Sequence, residues 1–340
     1  MNAGEISPET FTVGIVGVGH LGTFHLQKYS SHPFVSSIVI HDLDEGLAER
    51  RVSEIESVRP IEIADSLDEC LEKCDAVSIA IPTASHAQAV EKALEMGCHV
   101  LVEKPITSES ASAWSLVERA EESGRILHVG HVERFNPALQ ELEAEKIVPR
   151  FIEAHRLAPY NPRGTDVPVV LDLMVHDLDL ILYLTGEEPV EIEAAGVPVI
   201  TSSADIANVR LSFPGGCVAN VTASRISLSS MRKLRVFASQ VYLSLDLLEG
   251  SRELVRLRHD PGEIGDSEIP VMEMEDRVIT RKEYQGEGDA LAMEIDSFLR
   301  CVKAQESGSQ EVVHPAGVSG REAATVLELA EEITRKIADT

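Results

Sequence analysis

The chain has 340 residues, more than one small hydrophobic core usually serves, and 44% of them are hydrophobic with no repeat or low-complexity tract, so two folded domains are expected. Its 57 acidic residues against 30 basic ones give a formal charge of −27, which repels nucleic-acid phosphates and anionic lipid and excludes both as expected partners. The opening MNAGEISPETF lacks the basic start and apolar core of a secretion signal, and no apolar run approaches the length of a membrane span, so a cytoplasmic protein is expected. Five cysteines, at 70, 74, 98, 217 and 301, are odd in number and scattered, which argues against a disulfide framework. Cys70 and Cys74 stand four apart, but no second pair or histidine cluster completes a zinc site, and no metal is expected.

In chain order, residues 11–17 (FTVGIVG), 35–41, 75–82, 99–105 and 125–131 are short β-branched runs, separated by segments of helical period such as AQAVEKALEMG and SAWSLVERAEESG. Alternation of strand and helix predicts a parallel sheet covered by helices on both faces. The first strand runs into Gly17-Val18-Gly19-His20-Leu21-Gly22, which opens a helix. Glycines in a G-x-G-x-x-G turn permit a tight bend, close backbone approach to a pyrophosphate, and packing of helix on strand. Asp42 ends the second strand, twenty residues after Gly22, where it can accept from adenine ribose hydroxyls and where a 2′-phosphate would meet a carboxylate. NAD rather than NADP is the expected cofactor. Residues 1–131 are therefore read as a Rossmann dinucleotide-binding domain.

The texture changes near residue 150. Alternating strands such as IANVRLSF, CVANVTASRIS, KLRVFAS, VYLSLDLL and ELVRLRH follow, then two helical segments, ALAMEIDSFLRCVKAQ and REAATVLELAEEITRKIA. Residues 132–340 are read as an α+β domain with a large, mostly antiparallel open sheet, serving substrate binding and oligomerisation, whose last helices can pack back on the first domain. The fold class is thus α/β, a doubly wound parallel sheet followed by this α+β domain. Within it, Arg225, Arg232, Lys233 and Arg235 form a basic cluster that either holds a diphosphate or, as Lys233 and Arg235 share one strand face, simply lines an exposed strand.

Early in this second region lies VLDLMVHDLDLILYL, residues 170–184. On a regular α-helix Asp172, His176, Asp179 and Tyr183 share a stripe roughly 60° wide, with apolar side chains around the rest except at Asp177. Burying such groups unpartnered costs several kcal/mol each, so the stripe faces a partner network or a polar cavity.

The G-x-G-x-x-G start, IAIPTASHAQAVEKALEMGCHVLVEKP (79–105) and Asp172-x-x-x-His176-Asp177 together resemble the glucose-fructose oxidoreductase and inositol dehydrogenase (Gfo/Idh/MocA) family. VGHVERFNP (129–137) and residues 157–186 resemble its branch that oxidises UDP-N-acetylglucosamine at the 3-hydroxyl, whereas Val167-Pro-Val-Val-Leu-Asp-Leu-Met lacks the glycines that polyol-oxidising members place around the aspartate. The resemblance implies an NAD-dependent dehydrogenase acting on a CH–OH donor, with Lys104, Asp172 and His176 catalytic. It implies cofactor contacts at Gly17, Gly19, His20, Leu21, Gly22, Asp42, Pro82, Thr83, His86, Glu103 and Lys104. For the substrate it implies Arg134, Asn136, Arg156, Tyr160 and Arg163, with Lys104, Asp172 and His176. A cis Lys104–Pro105 bond and a homo-oligomer built through the C-terminal sheet also follow from it. A polyol or free-sugar dehydrogenase is the alternative within the family, and a silent dinucleotide-binding regulator the alternative outside catalysis; the joint presence of Lys104, Asp172 and His176 argues against the latter.

Overall fold

The structure is a computed structural model and describes residues 11–161, 167–259, 262, 264–265, 267–274, 277–309 and 317–339, with Glu143 and Ala144 by backbone alone. It divides into two compact units, Met1–His131 with Leu291–Ala324, and Val132–Ala290 with Thr325–Thr340.

In the first unit, β1 (Thr12–Val16), β2 (Ser37–His41), β3 (Ile61–Ile63), β4 (Ala76–Ile79), β5 (His99–Glu103) and β6 (Leu127–Gly130) pair in parallel. A two-residue strand, Val318–Ser319, adds antiparallel to β6 at the edge. The order runs from that edge through β6, β5, β4, β1 and β2 to β3, so the winding reverses between β1 and β4. Ligands of such sheets bind outside the carboxyl ends of the strands at that reversal. The short β3 and the antiparallel edge strand were beyond the five runs visible in the sequence; at three and two residues neither carries a readable period. Helices α1 (His20–Ser31), α2 (Glu45–Glu54), α3 (Leu67–Glu72), α4 (His86–Glu95) and α5 (Ser110–Ser123) connect the strands. One core joins Val13, Ile15, Ile38 and Ile40 to Leu26 and Tyr29 of α1. Ile295, Phe298, Leu299 and Val302, from the helix Ala290–Glu306, close the same core.

The second unit is built on a nine-stranded sheet. After β7 (Phe151–Leu157) come β8 (Glu191–Val197), β9 (Ile206–Ser212) and β10 (Val218–Ser224); β7 and β10 are parallel neighbours, and the other neighbouring strands are antiparallel. Ile152, Ala154 and Arg156 of β7 are buried while the residues between them are partly exposed, the period-2 pattern of a sheet with one covered face. Val170, Met174, Val175, Leu178 and Ile181 cover that face together with Val326, Leu329, Ala330 and Ile333.

The segment 170–184 is not one regular α-helix. Val170–Met174 forms a π turn and α6 runs over Val175–Thr185. A π turn closes i→i+5 and rotates less per residue than an α-helix, so the stripe drawn at 100° per residue breaks between Asp172 and Asp179. Its start is fastened from outside: Val169 N–H donates to Ala204 O at 3.1 Å and Arg225 Nη2 to Val167 O at 2.6 Å. Asp205 holds that fastening in shape. Fully buried, it accepts from the amides of Val199, Ile200 and Thr201 and from the Thr201 hydroxyl, and its own carbonyl receives the Arg225 amide. Burial alone would raise its pKa, but the Ile200, Thr201 and Val199 donors hold it well below the usual carboxylate range.

A depressed carboxylate pKa stabilises the fold above the unfolded value of about 4, and the contribution is lost as pH falls through the folded value. Asp205→Asn is therefore expected to lower stability by about 1–3 kcal/mol at neutral pH. The gap from the parent protein, read from urea unfolding midpoints, should narrow steadily below pH 4; a gap independent of pH would contradict this assignment.

Candidate active site

Asp42, the Gly17–Gly22 turn and the segment after β4 all stand at the carboxyl edge of the parallel sheet. Gly17 has φ +87°, and a Cβ there would lie 2.7 Å from Ala80 O. A Cβ on Gly22 would lie 1.8 Å from Gly17 O, so the turn closes only without side chains at both positions. Gly19 differs: a Cβ there would meet nothing within 4 Å, leaving the middle of the turn open on its outer side. Gly19 also caps α1 with no side-chain hydrogen bond, and no acidic residue occupies the first turn. First-turn amides and the positive end of the helix dipole are thereby left for an anion. His20 and Leu21, in that first turn, are exposed.

The Asp42 carboxylate is oriented from two sides. Oδ2 accepts from Val18 N–H at 2.8 Å and Oδ1 from Asp44 N–H at 2.9 Å, which ties the acid to the glycine turn and keeps further lone pairs for ribose hydroxyls. These residues fit a dinucleotide: an open glycine, an uncapped helix start and a fixed carboxylate lie on one edge. Pro82 is exposed and Thr83 partly exposed where the chain, having left β4, the strand next to β1, enters the turn Thr83–Ser85.

At the end of β5 the Lys104–Pro105 bond is cis, as expected, and Lys104 is partly buried. Glu103 Oε1 receives His25 Nε2 at 2.9 Å, and His25 Nδ1 meets Ser78 Oγ at 3.0 Å, which in turn meets the Tyr29 hydroxyl at 3.0 Å. His86 bridges two backbone carbonyls, Pro105 O at 2.9 Å through Nδ1 and Ile81 O at 2.8 Å through Nε2. Expected beside the cofactor, His86 is buried at 1% exposure, with both ring nitrogens on main-chain carbonyls. Neither His25 nor Ser78 stands out in the sequence. The readable signal is that Gly22, His25, Leu26 and Tyr29 are the sheet-facing positions of α1, where a histidine requires a polar partner.

In the second unit, α6 carries two wholly buried carboxylates, Asp177 and Asp179, each at 0% exposure. Arg156 of β7 meets Asp177 through Nε at 2.8 Å and Nη2 at 3.1 Å, and Glu133 through Nη1 at 2.8 Å. Arg134 meets Asp179 through Nε at 2.9 Å and Nη2 at 2.8 Å, its guanidinium carbon lying 4.5 Å from the centre of the Tyr183 ring. Asn136 donates to Glu133 at 3.0 Å and Leu247 O at 2.9 Å and accepts from Ala138 N–H at 3.0 Å. Arg134, Asn136 and Arg156, expected at the substrate, thus have these polar atoms committed inside the protein. The stripe is accordingly divided. Asp179 and Tyr183 belong to the buried network, while Asp172 and His176 remain partly exposed. Tyr160 is 43% exposed, and Arg163 lies outside the described residues.

The basic cluster is also paired: Arg232 with Glu133 at 3.4 Å, Lys233 with Asp246 at 3.3 Å, Arg235 with Glu153 at 3.5 Å, and Arg225 beside Asp205 at 3.9 Å. Lys233 and Arg235 lie on the strand Met231–Ala238, on the face opposite buried Leu234 and Val236, which is the plainer of the two expectations.

Burial pushes the Asp177 carboxyl up, with Arg156 pulling it back, and Asp177 and Glu133 together hold the Arg156 guanidinium charged against the same burial. Removing one partner of such a pair leaves an uncompensated charge. Arg156→Leu is expected to cost about 3–5 kcal/mol in urea denaturation. Adding Asp177→Asn should recover part of the loss, and a double variant no more stable than the single one would refute the pairing.

Comparisons with known proteins agree with this geometry. Residues 11–131 match the oxidoreductase family profile with an NAD-binding Rossmann fold, and residues 150–244 match the GFO/IDH/MocA C-terminal domain. The chain is 37% identical over 310 residues to UDP-N-acetylglucosamine 3-dehydrogenase of Acidithiobacillus ferrooxidans, covering 91% of this chain and 92% of that one. A structure of that enzyme superposes with a TM-score of 0.82 at 33% identity, over 97% of this chain and 98% of the other. An inositol 2-dehydrogenase of Arthrobacter is 32% identical over 190 residues, 53% of this chain and 56% of that one. The chain belongs to the GFO/IDH/MocA family of oxidoreductases, whose Rossmann domain binds NAD.

Proposed function

We propose that the protein oxidises the 3-hydroxyl of UDP-N-acetylglucosamine, or of a closely related nucleotide sugar, to the ketone, with His176, Asp172 and Lys104 as the catalytic residues. The observation that carries the chemistry is the division of polar groups on the π turn and α6: Asp177 and Asp179 are matched by buried arginines, while Asp172 and His176 are left partly exposed. The substrate rests on similarity across nine-tenths of both chains to an enzyme of that specificity. The inositol dehydrogenases among the sequence relatives match over 52–63% of the chain.

When bound, NAD supplies the hydride acceptor, and the Gly17–Gly22 turn with Asp42 holds its pyrophosphate and adenine ribose. His176 takes the hydroxyl proton as the carbinol C–H bond gives up its hydride, imidazole being the side chain most often used as a general base. Asp172 orients the ring and stabilises its cationic form. Lys104 donates to the same oxygen and stabilises the negative charge that develops on it. Arg134, Asn136 and Arg156 act at one remove, by fixing α6. The protein works in the cytoplasm as a homo-oligomer joined through the outer face of the nine-stranded sheet, where the rings of Phe151, Phe237 and Tyr242 lie side by side, tilted, with centroids 5.9 and 5.1 Å apart. A monomer in sedimentation equilibrium would exclude that last arrangement.

His176→Ala and Lys104→Ala are each expected to lose about 10²–10⁴ in turnover, with NAD affinity nearly unchanged by calorimetry. Asp172→Asn should lower kcat with little change in KM, because an amide keeps a hydrogen bond but not the charge. Reduced cofactor should form under single-turnover conditions with UDP-N-acetylglucosamine and not with inositol; the reverse preference would overturn the substrate. NADP binding as tightly as NAD would overturn the role given to Asp42.

A further inference from the structure

Lys104 lies between two residues that are each gripped by a histidine from a different helix. On its amino side, the Glu103 carboxylate receives His25 of α1; on its carboxyl side, the Pro105 carbonyl receives His86, the first residue of α4. We propose that His25 and His86 are positioning residues for Lys104, fixing the backbone on both sides of it so that its ammonium is presented to the reacting oxygen. The proposal rests on the catalytic reading of Lys104 above.

The hydrogen bonds on the Glu103 side run in one direction. Tyr29 donates to Ser78, Ser78 to His25 Nδ1, and His25 Nε2 to Glu103. The direction is set from the Glu103 end: a carboxylate only accepts, so His25 Nε2 carries the proton and, in the neutral ring, Nδ1 accepts from Ser78, which leaves the Ser78 oxygen to accept from Tyr29. On the other side both partners of His86 are carbonyl oxygens, which only accept; a ring protonated at both nitrogens makes both bonds, and a neutral ring makes one. His86 thus ties the segment carrying Lys104 to Ile81, next to Pro82 and Thr83.

Apolar side chains would fill the same helix-to-sheet spaces without needing polar partners. What the histidines supply is location. A lysine side chain is a flexible four-carbon stem, so its reach depends on where its Cα is held, and displacements near 1 Å can cost about 100-fold in rate.

Asparagine and glutamine separate this role from simple space filling, because the carboxamide of asparagine lies near Nδ1 of histidine and that of glutamine near Nε2, its nitrogen donating where a ring N–H donates and its oxygen accepting where Nδ1 of His25 accepts. His25→Gln and His86→Asn keep the bond toward Lys104, while His25→Asn and His86→Gln keep only the other bond. Two measurements should be made on all four variants of the full chain: amide hydrogen exchange over residues 103–107, and kcat beside the NAD dissociation constant. The expected result is faster exchange and a loss of about 10–100-fold in kcat for the second pair, with most of both recovered in the first pair and NAD affinity within about threefold throughout.

Equal exchange in the two pairs, or NAD affinity falling in step with kcat, would overturn the proposal. Exchange that follows the pattern while kcat does not is resolved by Lys104→Ala: if that variant is inactive the positioning role is wrong, and if it turns over normally the catalytic reading of Lys104 is what fails.

Discussion

The second unit depends on two carboxylates that water does not reach. Asp177 and Asp179, both fully buried on α6, are two positions and therefore about 200° apart around the helix, so their partners must approach from nearly opposite sides. Arg156 comes from the inner face of β7 and Arg134 from the short turn Val132–Phe135. A buried ion pair adds little net stability compared with apolar packing, but it tolerates only one geometry. An apolar α6 could roll or slide on the sheet at modest expense; this one cannot without exposing a charge to a low-dielectric interior. The rotation of α6 is thereby set, and the direction of His176, one residue before Asp177, is set with it.

The first unit meets a different constraint, space. At the reversal of strand order the chain must turn from β1 into α1 tightly enough that Gly22 packs on Gly17 O, and open enough at Gly19 for a pyrophosphate to approach. Asp42 contributes to both requirements, since one of its oxygens fastens the turn through Val18 N–H. Residue identity is correspondingly narrow there: the same few positions that shape the turn also define what can bind in it.

The parallel sheet, the glycine turn, Asp42 and the antiparallel character of the second sheet were legible because each rests on local spacing, whereas the cis proline was expected only through the family resemblance. The network under α6 was legible only in part. That the stripe must meet partners or a polar cavity could be read from its burial, yet the arginines that meet Asp177 and Asp179 were read as substrate ligands, since an arginine is usually exposed and pairing between residues 134 and 179 leaves no periodic trace. For Arg156 a signal was present: in FIEAHRL it shares phase with Ile152 and Ala154, so it points to the covered face of β7. The π turn was illegible because nothing in VLDLM departs from helical composition; it arises where a chain fastened at Val167 and Val169 meets a helix fixed by Asp177 and Asp179. The clasps on Glu103 and Pro105 were illegible for the same reason as the arginine pairs, being made across 78 and 19 positions of chain.

Both parts of the proposed machinery share one design. The reacting residue is left partly exposed, and the neighbour beside it in sequence is anchored: His176 by Asp177 on Arg156, Lys104 by Glu103 on His25 and by Pro105 on His86. Geometry favours this offset. One step along a helix turns 100° and one step along a strand turns to the other face, so an anchor that points inward leaves its neighbour pointing elsewhere. An anchor on the reacting side chain itself would occupy the donor or acceptor that the chemistry needs. Placing it one residue away confines the Cα of the reacting residue without drawing on its imidazole or ammonium for the anchor, which is how a site can be held within fractions of an ångström and still react.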